Sequence, residues 1–154
     1  EIKEVPELTR ETFVPRATTP LLDAMGRGIN DLEQGLSEMD EDERPMRVVM
    51  VIITDGQENA SREFNKNQIQ KMIKEKQEKL DWQFVFLSAD LDAIRDAVNT
   101  GIRSQSAMAF SKDAQGTAAA WSSASARISE FRSDRSKDVS FTDEDRDKQD
   151  SKKK

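Results

Sequence analysis

Two short stretches concentrate the oxygen-bearing side chains that could do chemistry. In "RVVMVIITDGQENAS", residues 47–61, an apolar run ends in Asp55, Gly56, Gln57, Glu58, Asn59 and Ser61, and in "FVPRATTP" Thr18 and Thr19 stand directly before Pro20. Carboxylate and hydroxyl oxygens without a softer donor suit a hard divalent cation, Mg²⁺ or Mn²⁺, that keeps several waters. The chain has no histidine and no cysteine. That excludes a Ser-His-Asp triad, histidine acid/base work, a thiol nucleophile, a His- or Cys-ligated zinc and any disulfide framework. Each stretch also has a plain structural reading. Asp-Gly is a common turn pair, Thr-Pro a common helix start, Glu58 a possible turn residue and Asn59 a possible cap.

The elements that must position these groups follow from periodicity. Leu21, Leu22, Met25, Ile29, Leu32, Leu36 and Met39 recur at three- and four-residue intervals, predicting a helix with Thr19 as N-cap and Pro20 as its first residue. Arg47 to Ile53 reads as a strand buried on both faces, which marks a parallel sheet. A helix over Asn65 to Leu80, a strand over Trp82 to Asp90, a short helix ending at Gly101, a strand over Ala107 to Phe110 and a helix over Asp113 to Phe131 follow. In the last helix Ala120, Trp121, Ala124, Ile128 and Phe131 are expected to be buried. "EIKEV", residues 1–5, reads as the end of a strand. "GRGIN", residues 26–30, falls inside the first helix, so its glycines do not form a phosphate loop. Helix and strand alternate, which predicts an α/β fold: a doubly wound, mainly parallel sheet with helices on both faces. In such a sheet a ligand binds outside the carboxyl ends of the strands, where Asp55 falls.

"RVVMVIITDGQENAS", preceded by "FVPRATTPLLDAMGRGI" and followed by "WQFVFLSADLDAIRDAVNTGI", resembles the later two-thirds of a bacterial von Willebrand factor type A (vWA) domain. The resemblance covers residues 1–131 and implies a Rossmann-like vWA fold, N-terminally incomplete. The family's Mg²⁺-dependent adhesion site draws on an Asp-x-Ser-x-Ser segment, a Thr before a helix and an Asp after a strand. Asp55 and Thr19, with Thr18 as the alternative to Thr19, match the last two. Gly56, Gln57, Glu58, Asn59 and Ser61 would line the rim. No Asp-x-Ser-x-Ser precedes Thr19, so the chain is expected to lack the first part of the fold, to receive it from another chain, or to be a metal-less relic. Without that part the Arg47 to Ile53 strand would be an apolar edge that recruits another chain or a second copy.

The resemblance implies a protein-binding module, not an enzyme, whose Mg²⁺ takes an acidic side chain from a protein partner. A structural subunit without a metal site is the second reading. A Mg²⁺-dependent phosphoester enzyme ranks lower, because it needs a second carboxylate and only Asp90 offers one.

Composition bounds the rest. The chain has 154 residues, 35% hydrophobic and 35% charged, with a net charge of −6. No basic stripe suits nucleic acid, and no run suits a membrane span or a signal segment, so the chain reads as soluble and cytoplasmic. Residues 132–154 have almost nothing to bury and read as a charged, disordered tail whose lysines, Lys152 to Lys154, could meet an acidic partner.

Overall fold

A computed structural model describes residues 5–7, 9–13 and 18–150. The expected strand end at residues 1–5 and the terminal lysines lie outside them, apart from the exposed Val5. The elements run α1 (Leu21–Glu38), β1 (Val49–Thr54), α2 (Lys66–Leu80), β2 (Gln83–Ser88), α3 (Leu91–Asn99), β3 (Ala107–Ala109), α4 (Ala114–Arg132) and α5 (Asp143–Asp150). The three strands form one parallel sheet in the order β1-β2-β3, with Val51 opposite Val85 and Phe86 opposite Ala107. Parallel neighbours require crossovers, and α2 and α3 supply them.

Helices cover both faces. On one, Met25 and Ile29 of α1, Ile69 and Ile73 of α2 and Ala93 and Ala97 of α3 pack on Ile52, Phe84 and Phe86. On the other, Ala120, Ala124 and Phe131 of α4 pack on Val85, Leu87 and Met108, with Val49 and Val51 at the margin. Every residue of β2 is buried, as befits the middle strand. The strand order does not reverse among the described residues, so the crevice of a doubly wound sheet is not formed by them.

Local chemistry sets the element ends. Asn65 caps α2 in a reciprocal box with Gln68, Asp90 caps α3, Asp113 caps α4, and Gly101, at φ +104°, turns the chain out of α3. The glycines of "GRGIN" lie inside α1 and serve packing. A Cβ on Gly26 would fall 2.5 Å from the Phe64 ring and one on Gly28 would fall 2.8 Å from Met50 Cε.

Several expectations are corrected. The run from Arg47 to Ile53 is not buried on both faces: β1 is an edge strand of the described sheet, with Val49, Met50 and Val51 half-buried and Ile53 39% exposed. Thr19 does not cap α1: Pro20 holds the cap position without a side-chain bond. Trp121 is 55% exposed on α4 and Met39 is exposed beyond α1. The largest correction concerns residues 132–150, which pack. Val139 and Phe141 are buried with α4 and β2, and the Ser106 hydroxyl donates to Val139 O at 2.6 Å. In α5, Asp145 is buried, accepting from the Thr142 amide and hydroxyl at 3.0 Å each and facing Arg127 Nε at 3.3 Å. Two apolar residues and one paired acid suffice to anchor a stretch that composition marks as solvated.

Candidate functional site

The carboxyl end of β1 meets the start of α1, and the loop after Asp55 joins them. The Thr19 amide donates to Asn59 Oδ1 at 2.8 Å, and the Asn59 amide returns a bond to Thr19 O at 3.1 Å. The Leu22 amide donates to Glu58 Oε2 at 2.8 Å and the Asp23 amide to Ser61 Oγ at 3.0 Å. These are the orphan donors of a helix start, satisfied by residues nearly forty positions later in place of a local cap. In return, Asp23 accepts from the amides of Arg62, Glu63 and Phe64 at 2.8–2.9 Å. The clamp ties "QENASREF" to the first turn of α1.

Glu58 is its hub. Its Oε1 takes the amides of Ala60 and Ser61, and its Oε2 also takes the Ser61 hydroxyl. Burial works to raise the Glu58 pKa, but the bonds from the Ser61 and Leu22 amides, the Ser61 hydroxyl and the Ala60 amide hold it below the ordinary carboxylate value. Asp23 is held low in the same sense: desolvation opposes ionisation, and the Arg62, Phe64 and Glu63 amides and the Arg27 charge override it. Both act as fixed anions at a helix N-terminus, where the macrodipole favours negative charge.

The clamp sorts the expected site residues into two groups. Glu58, Asn59 and Ser61 are committed to α1, so they hold the rim in place and are not free to ligate. Asp55 is exposed and forms no hydrogen bond or ion pair with the described residues. Thr19 has its backbone fixed while its hydroxyl takes no partner among them, and a Cβ on Gly56 would lie 3.9 Å from Thr19 Oγ1. Thr18 is exposed without a side-chain bond. Gly56 is held by Thr54, whose hydroxyl donates to Gly56 O at 2.9 Å. Gln57 reaches the next strand end, its Nε2 donating to Asp90 Oδ2 at 3.2 Å, while Asp90 Oδ1 caps α3. Both oxygens of Asp90 are therefore engaged in structure.

The free donors fit part of a hard-cation shell. One carboxylate and one hydroxyl at a strand end suit Mg²⁺, which binds few protein groups and keeps waters. They do not complete it, because no group of three or more acidic residues able to hold a metal occurs among the described residues. Asp23 is the residue that sequence reasoning missed: it reads as a first-turn acid, and only the loop's return shows its three amide partners. Compared with protein-family models, curated proteins and solved structures, the chain matches none.

Proposed function

We propose that the chain is part of a vWA-like, doubly wound domain and serves as a protein-binding module whose contact surface is the corner formed by Asp55, Gly56 and Thr19. The observation that carries this reading is the pairing of two partnerless oxygen groups with a rigid surround. Asp55 and the Thr19 hydroxyl are left open while Glu58, Asn59, Ser61 and Asp23 spend their hydrogen bonds fixing the backbone beneath them. A loop built only to turn would have no need of that many fixed amides.

Asp55 and Thr19 would hold Mg²⁺ or Mn²⁺, with the remaining oxygens coming from water and from groups beyond the described residues. When bound, the cation supplies an open coordination position for an acidic side chain of a protein partner. This chain's own part is to place one carboxylate and one hydroxyl on a fixed frame, with Gln57 bridging towards α3 and so setting one side of the contact. A phosphoester enzyme is disfavoured because Asp90 is already engaged. An assembly subunit without metal is the second reading, favoured by the position of β1 at the edge of the sheet.

A thermal-shift series with MgCl₂ or MnCl₂ tests the proposal. Millimolar metal is expected to raise Tm in the wild type and to leave Asp55→Ala unchanged, although both fold alike. An equal shift in both, or none in either, counts against the site.

A further inference from the structure

Helix α5 is docked without a single apolar side chain. Its sequence, DEDRDKQD, contains only charged and amide residues, so burial of apolar surface contributes little to holding it and polar contacts must do so. Three of them reach the body of the protein. Asp145, 1% exposed, faces Arg127 Nε of α4 at 3.3 Å. Arg146 Nη1 donates to Ala107 O at 3.0 Å, and its Nη2 reaches Ser104 O at 3.4 Å. The Gln149 side chain bridges the turn before α4, accepting from the Ser111 amide and donating to Gly116 O at 3.2 Å each. The segment just before α5 is held differently. Val139 and Phe141 are buried in the core, and the Phe141 amide donates to Gln105 O at 2.8 Å.

We infer that α5 is an ionic latch over the outer edge of β3, one that undocks and unwinds as a unit while Val139 and Phe141 stay in place. Water can take over each of its contacts. Arg127 keeps Glu130 Oε2 at 2.9 Å on its own helix, so the departure of Asp145 leaves no cation unpaired, and the released carboxylate regains its hydration. Once undocked, eight residues are too few to remain helical in water. The bond pattern fixes what opening uncovers. The Phe110 amide donates to Ser88 O, so Met108 and Phe110 turn their backbone groups to β2, and Ala107 and Ala109 turn theirs outward. Arg146 covers Ala107 O, the first of the outward carbonyls. With α5 open that carbonyl is bare, and an edge closed by a charge becomes one able to accept a strand. The latch therefore switches β3 between a capped and an open edge, while Phe141 keeps its hold on Gln105 O.

The latch is independent of the cation reading, and hydrogen exchange of the 154-residue chain in EDTA and increasing urea tests it. The amides of α5 and of Ser111 are expected to exchange at least about tenfold faster than that of Val85 in β2, with a shallow urea dependence because opening exposes little surface. Asp145→Asn keeps the shape of the side chain and removes the charge facing Arg127. Arg146→Met removes the bonds to the β3 edge. Each should speed exchange at α5 and Ser111 by about tenfold or more and leave the Val85 and Phe141 amides as protected as in the wild type. Exchange of α5 and Val85 along one common urea curve would overturn the latch. So would variants that leave α5 unchanged or deprotect Val85 equally.

Discussion

At the scale of single residues, the division of labour between Asp55 and Glu58 decides what the β1 corner does. Both stand in the same acidic, amide-rich loop, and sequence alone assigns them similar roles at the rim. The structure separates them by their hydrogen bonds: Glu58 accepts four and Asp55 none. Glu58→Gln replaces two acceptor sites with donors and strands part of the α1 start, so unfolding in denaturant should show a loss of about 1–3 kcal/mol. The pH dependence has a definite sign. The folded pKa of Glu58 lies below its unfolded value, so its stabilising share is fully present above the ordinary carboxylate value and is lost as pH falls through the folded value. Wild-type Tm should therefore drop in acid more steeply than that of Glu58→Gln, and parallel curves would contradict the assignment.

At the scale of elements, periodicity located α1 to α4 and the positions of all three strands, because their apolar residues repeat at intervals that one face of a helix or a strand explains, but it overstated the burial of β1, whose Ile53 is exposed at the sheet edge. The helix start was less legible. Thr19 has the right type for a cap, but Glu58 and Ser61 arrive from another loop and take the amides first, and no local window contains that competition. Trp121 differs for a related reason: α4 spacing suggests that it is buried, yet it is 55% exposed and lines an open groove together with Val51 and Ile128. The glycines of α1 carry a packing message that periodicity cannot express. Gly26→Ala should destabilise the protein by about 1–3 kcal/mol despite the better helix propensity of alanine, because the new methyl meets the Phe64 ring. Chemical denaturation measures it, and a gain in stability would mean that Phe64 can move aside freely.

At the scale of the whole molecule, the two core layers and the closed β3 edge make residues 132–150 part of the fold. Charge content hid this, since it reports the solvated majority of a segment and not the few residues that anchor it: Val139, Phe141 and Asp145. Phe141→Ala should cost about 3 kcal/mol in denaturant unfolding, and the amides of β3 should lose hydrogen-exchange protection before those of β2. Unchanged stability would mean that the segment rests on the sheet without supporting it. No helix among the described residues is long and apolar enough to cross a membrane. Among the described residues, the oxygen-lined corner of Asp55 and Thr19 stays open beside the carboxyl end of β1.

The corner is tested most directly by adding MnCl₂ to the ¹⁵N-labelled chain and following paramagnetic broadening of its backbone amides. Broadening should be strongest at Thr19, Asp55, Gly56 and Gln57 and should disappear from them in Asp55→Ala. Broadening centred on the acids of α5, or spread over the surface without a maximum at β1, would contradict a cation-dependent contact at this site.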